Sequence, residues 1–207
     1  MCLTLIELIE VSKSYRIRQD VKKVVLKNIS LNIKERDFIG IQGPSGSGKT
    51  TLLNLIIGNI PLDSGKYIFN HTILNKPNDV LFVPQEPFLI PYLSVNENFE
   101  EIPNNLIYFL DLFQLRNLVD SYPDELSGGE LRRVAICKAI FLIPKLLILD
   151  EPSANLDISW KFSLIKIFDE LKKIGITLII STHNKDLVKN ANKNFKIKNF
   201  SLINLDI

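Results

Sequence analysis

The chain has 207 residues, of which 46% are hydrophobic and 23% charged, with a formal net charge of +2. That length fits one large domain with a sizeable buried core. The composition excludes a disordered chain, and the near-neutral balance gives no electrostatic reason to expect direct binding to nucleic acid.

The N-terminal MCLTLIELIE has no basic n-region and carries Glu7 and Glu10 where a signal peptide needs an unbroken apolar core, so no export signal is expected. The opening third then reads as strands: LTLIELIEV, VVLKNISLNI with alternating apolar positions, and DFIGIQG, separated by polar turns. These predict a small antiparallel sheet feeding a core strand. From Lys49 to Ile57 the pattern turns helical, with Gly58 placed as the C-terminal stop and Pro61 just beyond.

Val80 to Val83 is a short apolar strand ending at Pro84 and Gln85, after which Pro87, Pro91 and Pro103 punctuate a passage that leads into a predicted helix from Asn104 to Leu115. Gly128 and Gly129 precede a long helical pattern to Leu142. The apolar stretch from Val134 to Leu149 is broken by Lys138, Pro144 and Lys145 before it reaches the ~20 residues of a bilayer span. Cys137 lies in this apolar pattern, far from Cys2, and reads as a buried free thiol, which fits a reducing compartment.

KLLILD is a continuous apolar run of the kind buried in parallel sheets. Trp160, Leu164, Phe168 and Leu171 recur at helical spacing up to Gly175, and ITLIIST is a third buried strand. Alternation of strand and helix predicts an α/β fold with a parallel sheet. No internal repeat or flexible linker divides the chain.

Gly43 to Thr50, GPSGSGKT, has four residues between Gly43 and Gly48 and stands between a predicted strand and a predicted helix, as a P-loop requires. Its glycines let the backbone curl so that successive N–H groups and the helix N-terminus face a β-phosphate. Lys49 offsets β/γ charge, and the Thr50 hydroxyl is placed to ligate Mg2+. A P-loop alone leaves the chemistry open among kinases, GTPases and motor ATPases.

The run LLILDEP narrows it. Asp150 ends a buried strand and can hold Mg2+ through water, while Glu151 beside it can orient and deprotonate an attacking water. Without the upstream P-loop the same pair would read as a solvated turn. Leu126 to Glu130, LSGGE, would likewise read alone as an N-cap with an acidic first turn, and it offers a helix N-terminus to an anion.

In company with the P-loop and LLILDEP, LSGGE resembles the signature motif of ABC ATPases, and the resemblance runs nearly the whole chain, from EVSKSY to STHN. It implies a P-loop NTPase of ABC type: an α/β core with an N-terminal antiparallel β subdomain over about 1–85 and 143–207, and a helical subdomain over about 86–142. The whole of 1–207 would form one ABC ATPase domain.

The family pattern implies ATP and Mg2+ as cofactors. ATP would be held by Tyr15 stacking on adenine, by Gly43, Pro44, Ser45, Gly46, Ser47, Gly48, Lys49, Thr50 and Thr51, and, from a second copy packed head to tail, by Ser127, Gly128, Gly129 and Glu130. Ser153 to Asp157, SANLD, resembles the D-loop that crosses the dimer interface. Thr50, Gln85 and Asp150 would serve the metal. Glu151, His183, Gln85 and Lys49 would carry catalysis, His183 as the switch histidine and Gln85 as the Q-loop residue that relays to a membrane partner. His71, in the turn FNHT, reads as structural.

The resemblance further implies a homodimer sandwiching two ATP, a separate membrane-spanning permease, and a peripheral position on the cytoplasmic face of the membrane. GPSGSGKTTLLNLI and YPDELSGGELRRVAI look most like ATPases of lipoprotein-releasing, macrolide and peptide or bacteriocin exporters. Departures are Arg36 for a usual glycine, Asn184 for a usual Asp, and Cys137 and Lys138 for a usual Ala and Arg. The stretch from Gln85 to Leu126, which forms the groove for the permease, is also short. Two rival readings are a non-transport ABC ATPase that clamps a nucleic-acid or cell-division complex, and a nucleotide-binding regulator that hydrolyses poorly.

Overall fold

The computed structural model describes residues 2–18, 21–99, 107–154 and 158–206. Among them nine strands make two sheets. Strands β1 (Thr4–Arg18) and β2 (Val21–Lys34) form a long antiparallel hairpin, with β4 (Ser64–Phe69) on the other side of β1. The second sheet has the order β5-β6-β7-β3-β8-β9, built from β5 (Val80–Val83), β6 (Leu146–Asp150), β7 (Thr177–Thr182), β3 (Phe38–Gln42), β8 (Lys193–Lys198) and β9 (Ser201–Asn204). All its pairings are parallel except the β8–β9 hairpin.

Burial on both faces explains the unbroken apolar runs. Leu147 and Leu149 of β6 face one core with Leu178 and Ile180 of β7, whereas Leu146 and Ile148 face a second core with Ile179 and the β1–β2 hairpin. A strand alternates its side chains, so one covered on both sides needs apolar residues at every position. The first core is closed by α4 (Gly128–Phe141) and α5 (Ile158–Lys173), together with α3 (Ile107–Leu112); the second is closed by α1 (Lys49–Ile56). The four-residue helix α2 (Val95–Asn98) adds Val95 to the first core.

Helix ends follow local chemistry. The predicted helix 104–115 is described only from Ile107, and it stops at Leu112 because Gln114 turns left-handed, with φ 53°. The Leu115 amide then reaches back to the Leu110 carbonyl at 2.7 Å and the Gln114 amide to Asp111 at 2.9 Å, a Schellman closure. Gly175, with φ 87°, closes α5 by the same pair of bonds, from Ile176 to Leu171 and from Gly175 to Lys172. Strands β4, β8 and β9 carried no legible pattern: SGKYIF and KNFKIK mix charge with apolar residues. Both β1 and β2 run well past the predicted ends, through the exposed, basic RIR and VKK segments. Cys137 is a buried free thiol, pushed up in pKa by burial.

Candidate functional site

Four parallel strands deliver the predicted residues to one rim, since ligands of such sheets gather beyond the carboxyl ends of the strands. β3 runs into the P-loop, β5 into Gln85, β6 into Asp150 and Glu151, and β7 into His183. Register places Asp150 beside Ser181 and Gln42 beside Thr182, so the acidic pair and the P-loop flank one central strand.

The P-loop turns into α1 at Gly48, whose φ of 105° no side chain adopts easily. A Cβ there would also meet Val25 at 2.9 Å. Lys49 folds its ammonium back over the loop, 2.8 Å from the Gly43 carbonyl and 3.2 Å from that of Pro44. It also lies 3.1 Å from Glu151 Oε1. The Thr50 hydroxyl donates to Asp150 Oδ2 at 2.6 Å, and the Ser181 hydroxyl donates to Asp150 Oδ1.

Glu151 has a left-handed backbone, φ 48°, held by its amide donating to the Ser181 carbonyl at 3.0 Å. This kink turns its carboxylate toward Lys49 on one side and, at its other oxygen, toward His183 Nδ1 at 3.0 Å. Such backbone tension is typical of functional positions.

Lys49, Thr50, Glu151 and His183 border a cavity of about 660 Å³. Its wall includes Ser45, Gly46, Gly48, Lys49, Thr50, Thr51, Gln85, Glu151 and His183, so these predicted residues meet around one space. Pro44 and Ser47 open instead onto an adjoining cavity of about 480 Å³. The Ser47 hydroxyl is buried with no hydrogen-bond partner among the described residues, and the Cα of Gly46 faces open space. An orphaned donor beside an unobstructed loop fits a phosphate group. Thr50 and Asp150 offer adjacent hard oxygens of the kind Mg2+ takes alongside phosphates and water.

Other predicted residues stand apart. Tyr15 lies on β1 opposite Lys23 of β2, partly exposed, with the Lys13 ammonium 5.6 Å from its ring centre; Lys23 and Val25, rather than Tyr15, line the cavity. Nothing in the sequence pattern singled out that lysine and valine. Ser127 N-caps α4 in a reciprocal box: it accepts from the Glu130 amide at 3.3 Å, and its own amide donates to Glu130 at 2.9 Å. Ser127, Gly128, Gly129 and Glu130 are absent from the lining of this chain's cavity. Ser153 is buried, and Asp157 lies outside the described residues. Asn184 caps the turn after β7 by accepting from the Asp186 amide at 3.0 Å. His71 packs against Phe69.

A P-loop, a strand-end Asp–Glu pair and a strand-end histidine on one parallel sheet define a P-loop nucleoside triphosphatase with cassette architecture. The family model described as "ABC transporter" matches residues 26–154, more than half of the chain. The chain therefore belongs to the ABC transporter family and is an ATP-binding ABC ATPase.

Among its relatives are the cell division ATP-binding protein FtsE of Bacillus subtilis, 34% identical over 91% of this chain and 90% of that protein, and the lipoprotein-releasing system ATP-binding protein LolD of Buchnera aphidicola, 33% identical over 98% of each. The chain spans about half the length of the import ATPases it matches, such as 48% of the Fe(3+) ions import protein FbpC of Fusobacterium nucleatum, to which it is 33% identical over 79% of its own length. Among solved structures, the dimeric cassette MJ0796 in a post-hydrolysis state bound to ADP and phosphate superimposes with a TM-score of 0.83 at 26% identity, covering 97% of this chain and 99% of that one.

Proposed function

We propose that this ATPase works as a dimer on the cytoplasmic face of a membrane, driving a separate permease of an exporter. The observation that carries the reading is the convergence of Lys49, Glu151 and His183 within hydrogen-bonding distance around one cavity, with Thr50 and Asp150 paired beside it. In this reading Glu151 is the general base that takes a proton from the attacking water. His183 and Lys49 hold the γ-phosphate, and Gln85 reports its presence to the partner. Thr50 and Asp150 would hold Mg2+, which neutralises phosphate charge when bound. Ser127 to Glu130, outside their own chain's cavity, serve the ATP of a second copy, as the dimeric likeness supports.

An apolar patch supports the permease. Phe88 is 80% exposed beside a groove of about 180 Å³ bordered by Pro87, Ala139 and Leu142, a few residues beyond Gln85. Exposed aromatic surface next to a regulatory loop is the character of a protein interface. The lobe containing it, about 86–142, would be the transmitting subdomain. Among the described residues no helix is long and apolar enough to cross a membrane, which is consistent with a span supplied by another chain.

A second reading, a cassette serving cell division instead of cargo transport, draws on the likeness to FtsE over nine-tenths of both chains. Purification of the chain from detergent-solubilised membranes of its source cells, with identification of the polytopic protein that accompanies it, separates the two. A permease of exporter type supports the proposal. Recovery with division proteins or with ribosomes and DNA overturns it.

A further inference from the structure

We propose that Arg132 is a positioning residue for ATP hydrolysis, tying the helix that begins at Ser127 to the two loops that carry Gln85 and Glu151. It rests on the reading of those two residues as parts of the site. Arg132 stands in α4, in the turn after the Ser127 cap, and is 6% exposed. It does not border the nucleotide cavity, so whatever it does is done through its neighbours.

Its partners are unusual for a buried cation. One terminal nitrogen of the guanidinium donates to the Ala154 carbonyl and the other to the Gln85 carbonyl, while Nε is buried without a partner. Both carbonyls belong to residues that border the cavity, and the Ala154 amide in turn donates to the Glu151 carbonyl at 3.0 Å. Burying a guanidinium on main-chain oxygens without a paired carboxylate is costly. Desolvation is accordingly the dominant influence on the group and lowers its pKa, with attraction from Glu151, Glu86 and Asp150 opposing it.

An apolar residue would fill the same space without that penalty. What the arginine adds is geometry: a rigid, planar fork whose donors fix two loops at one spacing. α4 thus has a mechanical link to both walls of the site. A shift of the Ser127 end of the helix is transmitted to Gln85 and to the segment after Glu151.

The test uses the full chain with Arg132→Gln and Arg132→Lys, measuring kcat, KM and nucleotide affinity. Arg132→Gln is expected to lower kcat about 10- to 100-fold, the cost of misplaced catalytic groups, with KM and nucleotide affinity within about 2-fold. Arg132→Lys, which keeps the charge and can reach one carbonyl, is expected to recover part of the loss. A kcat for Arg132→Gln within about 2-fold of wild type overturns the proposal. So does a parallel fall of kcat, nucleotide affinity and thermal stability in both variants, which marks a general strut. If Arg132→Gln does not fold, the lysine variant decides by the same split of kcat from KM. Glu151→Gln in the same assay tests the site reading separately: if it hydrolyses normally, the role of Glu151 fails, whereas the Arg132 result is read from its own ratio to wild type.

Discussion

The Lys49 ammonium and the Glu151 carboxylate lie 3.1 Å apart with their side chains only 7% and 10% exposed, so the cation of the P-loop and the carboxylate that follows β6 share one low-dielectric corner. His183 meets the other oxygen of the same carboxylate at 3.0 Å. Glu151→Gln keeps the shape of this corner and removes the base. Turnover is expected to fall ~10²- to 10⁴-fold while ATP still binds, as measured by phosphate release beside a nucleotide titration. Near-normal hydrolysis would exclude Glu151 as the base.

Ser127 bears on a second copy of the chain. It caps α4, and neither it nor the two glycines after it reach the cavity of their own chain. Ser127→Arg is expected to abolish hydrolysis without weakening ATP binding by the isolated monomer. Loss of the cap costs the helix about 1 kcal/mol, so Ser127→Gly, which removes the hydroxyl at a cost of only a few tenths of a kcal/mol, controls for helix stability. If monomer binding fell in step with hydrolysis, the head-to-tail arrangement would be contradicted.

The site was more legible than the frame around it. Asp150, Glu151 and His183 stand where buried apolar strands end, and strands of that kind announce themselves by unbroken hydrophobicity, while Lys49 and Thr50 are marked by the glycine-rich loop before them; the structure brings all five together. Lys23 and Val25 were not legible, because they reach the cavity through the packing of β2 against the P-loop, with Val25 beside Gly48, a contact between separate segments that no local pattern encodes. Arg132 is one of two arginines in LRRVAI that no local pattern sets apart; the folding of two distant loops onto it, at Gln85 and Ala154, distinguishes it. Strands β8 and β9 were not legible because partly buried Lys193 and Asn194 and exposed Lys196, Lys198 and Asn204 interrupt the apolar alternation.

Glu130 makes the start of α4 sensitive to pH. Hydrogen bonds from the Ser127 hydroxyl and amide hold its carboxyl below the usual glutamate value. A group with a depressed folded pKa contributes stability above its unfolded value, and that contribution is lost as pH falls through the folded one. The difference in melting temperature between wild type and Glu130→Ala is therefore expected to be largest above roughly pH 5 and to shrink as the pH drops below about 4. A difference independent of pH across that range would show that the charge of Glu130 is not what the cap uses.

Arg36 departs from the glycine usual at its place, and the backbone shows what that substitution costs. It occupies the turn between β2 and β3 with φ 63°, left-handed for a residue with a side chain. Its amide donates to the Thr177 hydroxyl at 2.9 Å, a bond that glycine would keep. Its side chain is exposed and makes no ion pair among the described residues, with its guanidinium beside Gly175. Relief of the left-handed conformation is worth about 1–2 kcal/mol, against which the greater freedom of glycine in the unfolded chain costs about 0.4–1 kcal/mol. Arg36→Gly is thus expected to stabilise the protein by about 0.5–1 kcal/mol, raising the melting temperature by about 1–4 °C, with ATP hydrolysis unchanged because the turn lies at the opposite end of β3 from the P-loop. Arg36→Val, whose branched side chain tolerates that conformation worse, is expected to lower it. If calorimetry moved both variants in the same direction, the backbone of this turn would not be what sets their stability.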